Sequence, residues 1–404
     1  MPEARLPRRA TAAPVVLFVV VLLTCLHRSA CAQTAPAVRS RPTPPSETTD
    51  GSLIARSLPR VVYRGGLFLR RPRIVTITFI GDDPALVSRL ERFGDTIIHT
   101  DWWRAVTEGY CAEPGDCVGE GQTGSHVRLA VKLPAAVRDA DVEALLAREL
   151  KAHRFGPTDP DTLLLVYLPG GITLSNAFVP HYCSGGPRAL HRALRMDQDR
   201  VAYAILPRCG DEAELTAAAS HEILEAVTNP DPSRRGFAFE QGAVNLGFTA
   251  AGVEPVDPCG LITMDGHRTT ERGFVVQRAW SNRAASLGRD PCVPARVGRP
   301  YVTLVPREPT VRLPREGMSS TIALEAAADR TVPGWAVSAF DLTGYQDGEP
   351  CVEVSLDRSQ VVAGQTLNLT ITARKRNARR LCIVGVVSTL GVHSYMWPVA
   401  VVMR

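Results

Sequence analysis

The sequence predicts an α/β (α+β) domain over residues 61–297 followed by an all-β, Ig-like sandwich over residues 299–404. Three observations carry this expectation. Apolar runs of strand length alternate with stretches of helix length from Arg73 to Val227, as in a helical layer packed on one sheet. From about Arg299 the pattern changes to short alternating segments, separated by turn residues about every ten positions, with no helical period. Cysteines are spread over both parts in an even number once a leader is set aside.

The leader comes first. Arg5, Arg8 and Arg9 precede an apolar run from Ala12 to Leu26, and Ala30-Cys31-Ala32 supplies small residues for cleavage, so residues 1–32 read as a secretory signal peptide. The run is shorter than the roughly 20 residues of a membrane span, so no stable span is expected after cleavage. Removing it takes Lys+Arg from 46 to 42 and Asp+Glu from 41 to 40, leaving a net charge of +2. That balance argues against a nucleic-acid or membrane-surface partner. Residues 33–60, rich in Pro, Ser and Thr, read as a linker. Eight cysteines remain, Cys111, Cys117, Cys183, Cys209, Cys259, Cys292, Cys351 and Cys382, which in an exported chain read as disulfides. Sequential pairing is the simplest arrangement. The expected location is secreted or periplasmic.

In the first domain, strands are expected at Arg73–Ile80, Val127–Leu133, Thr162–Leu168 and Val201–Leu206, and helices at Asp83–Phe93 and Asp141–His153. Trp102 and Trp103, adjacent and followed by a Cys-bounded loop, are candidates to line a substrate cleft, against the plainer alternative of one core residue and one half-buried neighbour. His181 is a candidate to face the site, against a surface role. Ser233–Gly252 shows little periodicity, and a stretch of that length is a candidate cover over a cleft. Sandwich strands are expected at Thr321–Leu324, Trp335–Leu342, Cys351–Leu356, Thr366–Ala373, Leu381–Ser388 and Tyr395–Met403. By fold analogy that module serves adhesion, docking or spacing.

Chemistry concentrates in DEAELTAAASHEILEAVTNPDP, residues 211–232. Asp211 suits a helix N-cap, Ala and Leu dominate to Val227, and Asn229-Pro230 stops the helix. His221 and Glu225, one turn apart on the same face, can converge on one cation, with Glu222 beside them. The arrangement parallels the zincin helix HExxH, with Glu225 in place of the second His. The flanks are apolar, so unpaired charges there are costly. A catalytic zinc needs three protein ligands and an open position; Asp257, Glu254 and Asp231 are the candidates for the third, each with the alternative of a cap, turn or salt-bridge role.

Three segments in order, SHEILEAVTNP (220–230), GVEPVDPC (252–259) and GFVVQRAWSN (273–282), resemble the C-terminal half of the exordium-like (phosphate-induced) secreted proteins. VVYRGG (61–66) and DWWRAVTEGY (101–110) resemble that family's entry segment and aromatic segment, so the likeness covers roughly Val61 to Val293. The resemblance implies an extracytoplasmic domain with a zincin-like helix, His221, Glu222 and Glu225 matching HExxE, Glu254 and Asp257 matching two acids, and Cys259 and Cys292 matching flanking cysteines. Asn229 stands where the family usually has Asp, Pro255 replaces a branched apolar residue, and an aromatic pair after Pro230 is missing.

Two functions are expected in competition. The first is a zinc-dependent hydrolase, a metallopeptidase acting on peptide or a cell-surface polymer, with His221, Glu225 and Asp257 or Glu254 as ligands and Glu222 as general base. The second is a non-catalytic extracytoplasmic binding or adhesion protein with a structural cation, calcium being the alternative to zinc, or with none.

Overall fold

The computed structural model describes residues 51–403 except 185–186, 197–198, 241, 243–245, 251, 253, 265, 314–316 and 375–378. The expected signal peptide and residues 33–50 of the expected linker lie outside the described residues. Folded structure begins before the expected boundary at 61. Gly51–Ser57 is a helix with Ile54 fully buried and Leu53 packed on the core, because these two side chains bring apolar surface that a linker would leave in water. The described residues belong to one compact unit.

The fold is mixed α/β. Its first sheet is built from β1 (Arg73–Phe79), β2 (Gln122–Leu129), β3 (Thr162–Tyr167), β4 (Leu190–Met196) and β5 (Asp199–Leu206), in the order β2-β1-β3-β5-β4. Strands β2, β1, β3 and β5 are parallel, while β4 runs antiparallel along the β5 edge. Helices α1 (Pro84–Ile97), α2 (Asp139–Lys151) and α3 (Glu212–Thr228) cover the two faces. Ile74, Leu163, Leu165 and Ala204 face the cluster that holds α1 and α3 residues. Val75, Ile77, Leu164 and Val166 face Val142, Leu145 and Leu146 of α2. A sheet buried on both faces reads as continuous apolar runs, which is why β1, β3 and β5 are plain in the sequence.

The edges differ from expectation. Strand β2 starts at Gln122 and ends at Leu129, earlier than the expected Val127–Leu133, because its half-exposed alternation carries little apolar signal. Strand β4 was not anticipated for the same reason. Within Ser233–Gly252, expected as a cover over a cleft, Phe237–Phe239 instead pairs with Val61–Tyr63, and Phe237 and Phe239 are buried core residues.

The C-terminal part consists of a four-stranded and a five-stranded sheet sharing one core, with Leu304, Leu324 and Leu369 from one sheet and Trp335, Val384 and Val401 from the other. One short helix, Leu342–Asp347, interrupts the strands, capped by Asp341, whose carboxylate accepts from the Gly344 amide at 2.8 Å. At six residues it is too short to leave a period in the sequence. Two short helices of the α/β part, Leu246–Thr249 and Asp257–Ile262, lie on the strand His393–Met403. Phe248 stacks edge-on against Trp397 with centroids 5.2 Å apart, and Thr263 bridges Tyr395.

Four disulfides join Cys111 to Cys117, Cys183 to Cys209, Cys259 to Cys292 and Cys351 to Cys382. They fit a protein of an oxidising compartment. Among the described residues no helix is long and apolar enough to cross a membrane.

Candidate metal centre

Helix α3 starts where the Asp211 carboxylate accepts from the Glu214 amide at 3.0 Å and ends at Asn229. Most of its side chains between Leu215 and Thr228 are buried, so its polar groups must find partners inside the protein. His221 and Glu225 sit one turn apart, with His221 Nε2 3.0 Å from Glu225 Oε2. Asp257, at the start of the helix Asp257–Ile262, brings Oδ1 to 3.8 Å from the same nitrogen. These three side chains form a group whose ligand atoms all lie within 4.8 Å of one another. The other imidazole nitrogen, Nδ1, lies 3.2 Å from Gln277 Oε1. Donation of the Nδ1 hydrogen to that amide oxygen would leave the Nε2 lone pair for a cation placed between it and the two carboxylates, the arrangement of a metal-bound histidine.

Gln277 is itself fixed. Its backbone amide donates to Ser220 Oγ at 2.8 Å, and its carbonyl accepts from Trp102 Nε1 at 2.8 Å. Trp102 and Trp103 are each 1 % exposed, and Trp103 Nε1 donates to the Gly119 carbonyl at 3.0 Å. Neither lines the cleft around His221, against the expectation of a substrate-cleft role there: both indoles are buried and both N–H groups are satisfied internally, as in core residues.

The second imidazole at the centre was not anticipated. His191, on the antiparallel edge strand β4, is buried, with Nδ1 3.0 Å from Glu222 Oε2 and 3.7 Å from Glu225 Oε2. His191, Glu222 and Glu225 form a second group within 4.8 Å, so Glu225 belongs to both. Glu254 Oε1 lies 3.6 Å from His191 Nε2 and accepts from Asn229 Nδ2 at 2.8 Å. The Asn229 side-chain Oδ1 in turn accepts from the Phe237 amide at 2.9 Å. Glu254 thus stands beside His191, outside the His221 group. Asp231 pairs with Arg200 and joins neither group, and His181 is exposed. No local pattern links His191 to the helix, since 31 residues separate it from Glu222. A recognisable strand there would have been the only hint.

The electrostatics are those of charges crowded out of water. Burial pushes the Glu225 carboxyl up to about 8, with His221 opposing and Asp257 and Glu254 adding to the rise. Burial likewise lifts Asp257 to about 6 against the pull of His221. Burial disfavours charge on His221, yet Glu225, Glu222 and Asp257 outweigh it and raise that imidazolium well above its usual range. His191 is raised in the same way, against burial, by Glu222 and Glu254. Within this cluster two buried atoms, Glu225 Oε1 and His191 Nε2, have no hydrogen-bond partner among the described residues.

These residues line an open cleft of about 660 Å³, which also takes in Arg192, Arg195 and Arg200. A second cleft of about 680 Å³ opens past the end of β1, around Asp82 and Arg208, and offers neither an imidazole nor a thiol.

No family model and no curated protein matches the chain. Among solved structures, the chain is similar to a Bacteroides ovatus GH5 xyloglucanase in complex with a XXXG heptasaccharide, at 14% identity over 26% of this chain and 19% of that one, with a TM-score of 0.18. Two titin structures are similar at the same level. Chimeric titin Z1Z2 shows 19% identity over 26% of this chain and 93% of that one, with a TM-score of 0.17. The titin M3 domain shows 14% identity over 26% of this chain and 97% of that one, also with a TM-score of 0.17. Likenesses this slight carry no argument about fold or activity.

Proposed function

We propose that the protein is a secreted or periplasmic zinc-dependent hydrolase, a metallopeptidase with a zincin-like helix, followed by an Ig-like module. The observation that carries this reading is the convergence of His221 Nε2, Glu225 and Asp257, with the opposite nitrogen of His221 held by Gln277. Ligands around a tetrahedral zinc stand about 3.3 Å apart. The separations of 3.0 and 3.8 Å bracket that value. An imidazole in the set favours zinc over calcium, which takes oxygen ligands. The ordered resemblance to exordium-like secreted proteins supports an extracytoplasmic setting, and so do the four disulfides.

Zinc held there would polarise a scissile carbonyl and make water acidic enough to yield its proton near neutral pH. The chain's own part follows from placement. Glu222 lines the cleft with Oε2 3.0 Å from His191 Nδ1, and its carboxylate would take a proton from water and pass it to the leaving amine. Gln277 keeps His221 in the ligating tautomer. The open cleft admits a polymer such as an extended peptide.

The test is metal analysis of the purified chain together with a peptidase assay. Wild type is expected to hold zinc and to cleave. Glu222→Gln should still hold at least one equivalent while cleavage falls by at least about 100-fold. Full activity in Glu222→Gln, or a wild type that binds no zinc, overturns the reading.

A further inference from the structure

We infer that the cleft holds two divalent ions, the second bound by His191, Glu222 and Glu225, with Glu225 as the carboxylate shared between them. The inference rests on the proposed first site and adds a second beside it.

Three observations point the same way. The separations repeat: His191 Nδ1 lies 3.0 Å from Glu222 Oε2 and 3.7 Å from Glu225 Oε2, close to the pair of distances around His221. Both fit donors spaced about 3.3 Å apart around one ion. The outer contacts are similar in kind and looser at the second imidazole. His221 turns Nδ1 to the Gln277 amide oxygen at 3.2 Å, and His191 turns Nε2 toward the Glu254 carboxylate, which Asn229 anchors, at 3.6 Å and beyond hydrogen-bond distance. With its hydrogen on Nε2, His191 would present the Nδ1 lone pair to a cation beside Glu222 and Glu225. Finally, Glu225 is 3 % exposed, one of its oxygens faces both imidazoles, and the other has no hydrogen-bond partner among the described residues. A carboxylate buried beside other acids is costly to keep ionised, and a cation held between it and each imidazole offsets that cost.

Charge agrees. Glu222, Glu225, Glu254 and Asp257 are all acids of one cleft. With both imidazoles neutral, as metal ligation requires, these acids draw cations into the cleft, and Arg195, which also lines it, offsets part of their charge. The nearby Arg192 and Arg200 are already paired with Asp139 and Asp231. Two ions sharing a carboxylate are a known means of gripping both sides of a hydrolysed bond.

The experiment strips the full chain with a chelator, dialyses it against zinc, and measures metal per chain. About two equivalents are expected in wild type and about one in His191→Gln, the conservative variant that keeps the side chain's bulk and a hydrogen-bonding group. A manganese-loaded wild type needs no variant: two ions sharing Glu225 should give an exchange-coupled electron paramagnetic resonance spectrum, whereas a single ion gives an isolated-ion spectrum. One equivalent in wild type, unchanged in His191→Gln and with an uncoupled manganese spectrum, overturns this inference and leaves the single-zinc reading standing. No bound metal in wild type overturns both.

Discussion

His221 and Glu225 stand on a seventeen-residue helix buried against the sheet, whereas Asp257 stands on the first turn of a six-residue helix at the end of a loop. The helical pair is set by a local rule, since residues four apart share a face wherever the helix forms. The loop side has no such rule. Asp257 is held by Cys259, which is tied to Cys292, by the packing of its helix on the strand His393–Met403, and by Gly252, where an added Cβ would fall on the Asp257 carboxylate. The C-terminal sheets, expected to be an accessory module, therefore buttress the loop that carries Asp257. The comparison teaches that a site can be half local and half the product of contacts far apart in the chain.

Perturbing each side in turn sharpens this. The largest effect is expected from Trp102→Ala on the helix side, because it empties a buried site and frees the Gln277 carbonyl; it should cost about 3–5 kcal/mol, read as a lower denaturant midpoint. Replacing Cys259 and Cys292 together with Ser opens a 33-residue connection and should cost about 2–4 kcal/mol. Unlike a core mutation of equal cost, it should also weaken metal binding under conditions where the chain stays folded, measured by competition with a chelating dye.

Smaller effects test the ligands' supports. Gln277→Ala removes the acceptor that fixes the His221 tautomer and should weaken metal binding by about 10–100-fold with little loss of stability. Gly252→Ala keeps every ligand yet pushes on Asp257, and a loss of about tenfold in affinity is expected, about 1.4 kcal/mol. Unchanged affinity in Gly252→Ala would show that the loop side is softer than the comparison holds. Smallest is Asp211→Ala, which removes the N-cap of α3 and should cost about 1 kcal/mol of stability while metal affinity stays as in wild type, since the ligands lie further along the helix.

How much was legible follows the same division. The helix Glu212–Thr228, with its Asp211 cap and Asn229 stop, could be read because capping and periodicity are local. Strands Arg73–Phe79, Thr162–Tyr167 and Asp199–Leu206 could be read because both faces are buried. Both edge strands were misread or missed, and with Leu190–Met196 went His191, one of nine histidines and the one that reaches Glu222 and Glu225. Trp102 and Trp103 show the converse. Their composition suits a cleft as well as a core, and only packing separated the two.

By itself the sequence determined what short-range chemistry determines: where the buried helix runs, which side chains share its face, and that acids stand near Cys259. The tertiary structure decided which imidazole and which acids meet. Strand pairing, the Cys259–Cys292 bond and the packing of one loop on a distant strand carry His191, Glu254 and Asp257 to the helix, and contacts between residues so far apart leave no periodic trace along the chain.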